Sequence, residues 1–505
     1  MTDNNRFDVL VAGGGSAGAV LAARLSEDPA RSVLLLEAGA AYKPDEYPAV
    51  LLDPERIGGD EEHDWAFHAT VGRAGALNRE VRAPRGKVLG GSSAINAAVA
   101  LRALPADFAD WAAHGLSGWS WDQVLETYRA LENTESGEER FHGRAGPLPI
   151  YQRTYDELTP SVRAFIHAAE QQGYRYIDDP NADQRRGVAA VPLTIFSGVR
   201  QGTGIAYLTE DVRRRPNLTI LGRTEVDRIL VDGETATGVW TVDGTLHQAG
   251  QIILSAGSLG SAPILLRSGI GPARDLADLD IDVVADLPVG QRLQDQPVYH
   301  GVYALKAEAG EKSPAAGAFL RTASSQARGE ELDLLVSAAH LNDPGISPAG
   351  AIVLAVSVVR PESRGRLSVR SADPRDAPAI DLNLLATPRD RSRMLEGLKL
   401  SRGIGLGKTF ATVAESEMLP GDQIRDADLE RAIDQQVASF QHATSTVPMG
   451  GDTDEWAVVD GTGAVRGIGN LRVIDASILP AVPSVPTNLT VIMVAEHIYR
   501  HALSR

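Results

Sequence analysis

The chain has 505 residues, 43% of them apolar, and a formal charge of −17. It is too long for one core, so two domains or one domain with large insertions are expected, and the negative balance without a long Lys/Arg cluster argues against nucleic acid or membrane surfaces as partners. Cysteine is absent, which removes disulfides, thiolate nucleophiles, iron–sulfur clusters and Cys-ligated zinc; no metal site is expected.

The polar start MTDNNRFD shows no leader pattern, and no apolar run reaches the ~20 residues of a membrane span, so a cytoplasmic protein is expected. Phe7 to Ala12 (FDVLVA) reads as a short strand, Gly13-Gly14-Gly15-Ser16-Ala17-Gly18 as a G-x-G-x-x-G turn, and AVLAARLSED as the following helix. Gly13 permits the tight turn, Gly15 lets backbone approach a pyrophosphate, and Gly18 allows close helix–strand packing, while the helix N-terminus offers free N–H groups to the anion. A second strand, Ser32 to Leu36, ends in Glu37, a carboxylate suited to both ribose hydroxyls and repelled by a 2′-phosphate. NAD or FAD fits this fingerprint, which does not choose between them.

Further along stand DWAF (Asp64 to Phe67) and APRGKVLGGSSAIN (Ala83 to Asn96), whose glycine pair and serines suit a turn lying against a phosphate or a flat ring. AYLTEDVRRRPNLTI covers Ala206 to Ile220, TEVDRIL includes Val226, and the strand QIILSA leads into GSLGSAPILLRSGIGP (Gly257 to Pro272). AIVLAVSVV and GRLSVRS read as strands of an antiparallel sheet, Arg389 to Arg402 as an amphipathic helix after Pro388, and the Ala- and Gly-rich Ala307 to Gly317 as a loop. PESRGRLSV (Pro361 to Val369), QHATSTVPMG (Gln441 to Gly450) and LRVIDASILPAVPSVPTNLTVIMVAEH follow.

In this order, these stretches strongly resemble the glucose–methanol–choline oxidoreductase family, over essentially the whole chain. The resemblance implies FAD and an α/β fold: a Rossmann-like FAD-binding domain, discontinuous in sequence, with an inserted α+β substrate domain built on an antiparallel sheet. Residues 1–147, 203–299 and 434–505 are expected in the first, and 148–202 and 300–433 in the second. By the same resemblance Ser16 and Ala17 contact the pyrophosphate, Glu37 with Ala38 the adenosine ribose, and Val226 the adenine through its backbone. Gly90, Gly91, Asn96, Ala97 and Val99 border the flavin ring, and Asp475 and Ala476 close the pyrophosphate end. Two departures stand out. Where some members carry a His that binds FAD covalently, this chain has Ile95, which has no nucleophilic atom, so non-covalent FAD is expected. Where the family often reads NLQDH, this chain has RLQDQ at Arg292 to Gln296.

Oxidising an alcohol with FAD needs removal of the hydroxyl proton and of the α-carbon hydride. A lone histidine is more often a packed side chain than a base, but the resemblance makes His442 the base, and neutral imidazole is matched to that task. The position matching the family's second His or Asn is read as Asn488, an amide donor for the developing alkoxide. Phe440, Gln441 and Val99 are expected pocket linings. Family members that are lyases or decarboxylases use a Cys, absent here. The expected reaction is oxidation of a small primary, cyclic or aromatic alcohol. Choline- or sugar-type alcohols, and O₂ against another electron acceptor, stay open.

Overall fold

The computed structural model describes residues 6–72, 79–309, 316–341 and 349–504. Strand Arg6–Ala12 becomes fully buried over its second half and pairs in parallel with Val33–Leu36 on one side and Leu246–Leu254 on the other. Leu218–Leu221 extends the sheet beyond Val33–Leu36, the antiparallel strands Thr235–Thr241 and Val226–Asp232 extend the other edge, and Leu471–Val473 lies along Leu246–Leu254. The central strands read as continuous Val/Leu/Ile runs because helices remove their faces from water. Helix Ser16–Leu25 packs against Asn488–Ile498, which is buried from Leu489 onward. An ion pair lies in that interface: the Glu496 carboxylate, fully buried, accepts from Arg24 Nε at 2.9 Å and Nη2 at 2.7 Å, the two-pronged pairing a buried carboxylate needs.

The second sheet is antiparallel, in the order Ala414–Leu419, Pro297–Leu305, Ala351–Val358, Leu334–Leu341, Ala316–Thr322, Gly187–Ala190, with Ala438–Ser439 added beside Pro297–Leu305. Helix Pro388–Gly405, which covers the stretch predicted as helical, packs on it, started by Thr387 Oγ1 accepting from Asp390 N at 3.2 Å. Its inner face is not purely apolar: Arg393, fully buried, is paired with Asp390 and with Asp333.

GRLSVRS forms a strand, Arg366–Ser368, but outside the large sheet. It pairs antiparallel with Ala379–Asp381 in a four-stranded sheet shared with His68–Val71 and Arg79–Arg82. Gly365 admits this partner, since a Cβ there would lie 2.0 Å from Asp381 O. The expected boundaries at 299/300 and 433/434 fall within strand Pro297–Leu305 and helix Leu429–Gln436; the chain is already in the antiparallel sheet at Pro297 and still pairs there at Ala438–Ser439. Of the expected loop at 307–317, residues 310–315 lie outside the described residues, while Ala307–Ala309 forms a short turn and Ala316 begins a strand. Among the described residues no helix is long and apolar enough to cross a membrane, and no group of His, Asp and Glu could hold a metal ion.

Candidate active site

The glycine turn leaves strand Arg6–Ala12 with Gly13 at φ +102°, where only glycine is unstrained. Space is as limiting as conformation: a Cβ on Gly13 would lie 2.6 Å from Ser255 O, and one on Gly18 would lie 1.9 Å from Gly13 O. Helix Ser16–Leu25 starts with no side chain capping it, so its first N–H groups remain available to an anion. Ser16 is half-buried and Ala17 buried.

Glu37 closes the next strand at 5% exposure, accepting from Gly14 N and Gly39 N, both at 2.8 Å. Burial pushes its pKa up to about 7, opposed by those N–H groups and by the Lys87 charge. Ala38 follows, half-buried. Thr224 N donates to Glu37 O at 2.8 Å, which sets Val226, 8% exposed, just beyond the carboxylate's strand end.

The second glycine turn is pressed onto the first. Gly90 N donates to Gly14 O at 2.7 Å, and a Cβ on Gly91 would stand 2.7 Å from Gly15 Cα. Ser93 Oγ donates to Gly90 O at 2.6 Å and accepts from Thr203 N at 2.9 Å, so Thr203 braces the turn from a third segment. Sequence reasoning passed over Thr203; the GTG flanking it is the signal. Asn96 Oδ1 accepts from Ala98 N at 2.8 Å and stabilises Ala98 at φ +56°. Ala97 is half-buried, and Val99 bridges to Leu193. Ile95 is buried in a small cluster with Tyr47, Leu51, Val88 and Ala94.

Asp475 spends both carboxylate oxygens within the chain. Oδ1 accepts from Ser477 N at 2.8 Å, and Oδ2 from Gly257 N at 2.8 Å and Ser261 Oγ at 2.6 Å. The carboxylate therefore fastens the GSLGS turn to the C-terminal segment, and Ala476, half-buried, begins the short turn that results. Two sterically sealed glycine turns, an uncapped helix N-terminus and a buried acidic strand end suit a dinucleotide with an apolar ring and a diphosphate, so the residues present fit FAD.

His442 lies in a stretch tied down on both sides: Thr444 and Gln294 exchange backbone hydrogen bonds at 2.8 and 3.1 Å, and Val447 N and Met449 N donate to Ser477 O and Ile478 O. Gln441 is held at φ +69°, an uncommon conformation that sets the direction of the next side chain. His442 N donates to Asp295 Oδ1 at 2.9 Å, its Nδ1 meets Gln296 Oε1 at 2.6 Å, and Phe440 lies against the ring at 4.8 Å between centroids. Among the described residues nothing hydrogen-bonds to Nε2. Burial, with the Arg85 charge adding, lowers the pKa of His442 to about 3. Arg85 joins the two halves of the site: it precedes the second glycine turn and donates through Nη1 to Gln441 Oε1 at 2.8 Å. Arg85, Asp295 and Gln296 were not singled out as site residues from sequence.

Asn488 opens helix Asn488–Ile498, and its Oδ1 accepts from Ser16 Oγ at 2.8 Å. The fold thus brings it to the first glycine turn, and among the described residues no hydrogen bond joins it to His442.

Comparison with known proteins agrees with this geometry. Family models described as GMC oxidoreductase match residues 7–298 and 361–495. The chain is 36% identical to the 5-(hydroxymethyl)furfural oxidase of Methylovorus sp., over 99% of this chain and 98% of that one, and 34% identical to the oxygen-dependent choline dehydrogenase of Vibrio vulnificus, over 97% and 93%. Among solved structures, pyridoxine 4-oxidase from Mesorbium loti superposes with a TM-score of 0.90 at 32% identity, covering 99% of this chain and 100% of that one. Matches spanning both sheets and every segment of the site place the chain in the GMC oxidoreductase family, FAD-dependent enzymes that oxidise CH–OH donors.

Proposed function

We propose that this protein oxidises a small ring-bearing primary alcohol to the aldehyde, with His442 as the base, FAD held without a covalent bond, and O₂ or another acceptor completing the cycle. The observation that carries the reading is the posture of His442: ring and backbone are gripped through Nδ1 and N, while Nε2 has no hydrogen-bond partner among the described residues, beside the segment that Arg85 ties to the second glycine turn. When bound, FAD supplies the sink for the carbinol hydride. His442 Nε2 takes the hydroxyl proton as the C–O bond becomes C=O, when that proton is far more acidic than in the resting alcohol. A depressed pKa therefore does not disable the base; it keeps the ring neutral between turnovers.

Phe440 against the His442 ring offers an aromatic wall, and the Arg85 guanidinium disfavours a cationic substrate close by. Together with relatives named for oxidation of pyridoxine and 5-(hydroxymethyl)furfural, this favours a neutral aromatic alcohol over a quaternary ammonium one. Mixing the holoenzyme anaerobically with aryl, furan, pyridine, choline and sugar alcohols, then admitting air, tests substrate and acceptor in turn. Ring-bearing primary alcohols are expected to bleach the flavin fastest; a panel that leaves it oxidised overturns the proposal.

In this reading the Rossmann-like sheet and its helices carry the cofactor, and the antiparallel sheet carries the substrate pocket. Asn488, with Oδ1 engaged by Ser16, keeps its amide N–H₂ as a donor for the substrate oxygen. Asn488→Ala is expected to slow flavin reduction about 10²-fold, the usual cost of one donor to a developing oxyanion. Because Ser16 loses its partner, bound FAD per chain is expected to fall as well. Unchanged reduction would remove Asn488 from the chemistry.

A further inference from the structure

The departure RLQDQ puts an amide where the family often has an imidazole, and that amide is the one touching His442. We infer that Gln296 is a positioning residue that locks His442 into its Nδ1–H tautomer, making Nε2 the only basic site on the ring. The inference rests on the proposed role of His442 as base.

The argument begins at the far side of Gln296, which is completely buried. Its Nε2 donates to Val359 O at 3.0 Å and to Pro483 O at 2.7 Å. Both partners are backbone carbonyls and can only accept, so the amide orientation is fixed: flipped, it would set an oxygen against two carbonyl oxygens. What faces His442 Nδ1 at 2.6 Å is therefore Oε1. An amide oxygen cannot donate, so the hydrogen in that bond belongs to Nδ1. A neutral imidazole carries one N–H, and Nε2 is left with its lone pair.

The geometry is held from the backbone too. Asp295 Oδ1 accepts from Gln296 N at 2.7 Å and His442 N at 2.9 Å, which fixes the spacing of the two side chains, while Oδ2 accepts from Ser439 Oγ at 2.5 Å. The orienting group on the ring is thus a neutral amide. A carboxylate in that place, as in hydrolase triads, both orients the imidazole and stabilises its protonated form. Gln296 does the first without the second. The charges facing His442 are Arg85, on the Gln441 side, and Asp295, whose oxygens are taken by two backbone N–H groups and a hydroxyl. The tautomer is consequently set by hydrogen-bond direction and not by charge.

The test is ¹⁵N NMR of the histidine-labelled holoenzyme, with His442 assigned by its loss in His442→Ala. The expected spectrum has a protonated Nδ1 and a bare Nε2, unchanged between about pH 5 and 8, outside the reach of a depressed pKa. A proton on Nε2, or titration near the ordinary histidine value, overturns the inference. Two variants add kinetics. Gln296→Glu is expected to move the acid limb of flavin reduction at least one pH unit toward neutrality. Gln296→Leu should slow reduction about 10-fold or more, by analogy with the loss when a triad histidine takes the wrong tautomer, and Gln296→His, which restores an acceptor, should recover part of it. If Gln296 served packing alone, all three variants would lose FAD and thermal stability while tautomer and acid limb stayed put. Should no alcohol reduce the flavin although Nδ1 carries the proton, the oxidation proposal fails and the tautomer lock stands; the reverse pattern fails the lock alone.

Discussion

Replacing His442 with Ala is expected to lower the rate of flavin reduction by the best alcohol about 10²- to 10⁴-fold, the range a positioned general base contributes. FAD content should be unchanged, because the glycine turns, Glu37 and Asp475 that fit the cofactor make no hydrogen bond to the His442 ring. Anaerobic stopped-flow kinetics and the bound flavin per chain check both halves. The truncation also leaves a ring-sized gap beside Phe440 that free imidazole can enter. Added imidazole is expected to restore part of the rate, and the pH dependence then changes character. In the native enzyme a base whose pKa is depressed to about 3 stays neutral as pH falls from 8 to 5, so the rate should be flat there. The rescued rate should instead fall below about pH 6.5, where an unperturbed imidazole gains its proton. A variant that reduces its flavin at the native rate ends the case for His442 as base.

The parts of this site that could be read from sequence are those whose cause is local. A tight turn, a helix N-terminus packed on its strand and an acidic strand end all declare themselves within a few residues, so Gly13, Gly18 and Glu37 stand where the spacing puts them. Burial of Ile95 among Tyr47, Leu51 and Val88 is likewise what an apolar residue in that position does. What sequence spacing cannot express is which distant atom answers a given polar group. Asn488 meets Ser16, the side chain of Arg85 meets Gln441, and Gln296 meets His442, each across more than a hundred residues of chain. The motif-level reading saw Gln296 only as a departure, since its value lies in the two carbonyls that orient it. Sheet membership fails for a related reason: alternation identifies Arg366–Ser368 as a strand but carries nothing about which edge receives it. The Arg393 cluster on helix Pro388–Gly405 was hidden because a charge on an amphipathic face reads as solvated until its partners are known.

Gly91→Ala is expected to yield protein that purifies with little or no flavin. The added Cβ would sit 2.7 Å from Gly15 Cα, and both are main-chain positions, so no side chain can swing aside. The two glycine turns would have to part by about 1 Å to restore ordinary van der Waals contact. That movement opposes the Gly90 N to Gly14 O hydrogen bond and widens the cleft into which pyrophosphate and ring must fit together. Without cofactor the turns can separate and relieve the clash; with it they cannot, so the strain falls mainly on binding. Overpacking of this kind costs about 1–3 kcal/mol, which corresponds to roughly 10- to 100-fold weaker FAD affinity. Gly233→Ala is the matched control, because Gly233 lies at a similar positive φ (+58° against +53° at Gly91) and a Cβ there meets nothing within 4 Å. Titrating stripped protein with FAD, and following thermal unfolding with and without it, separates the outcomes: the variant should show a weakened dissociation constant and a smaller FAD-induced rise in Tm than Gly233→Ala. If Gly91→Ala binds FAD as the native chain does, the two turns do not meet across the cofactor, and the close Gly15–Gly91 approach is packing alone.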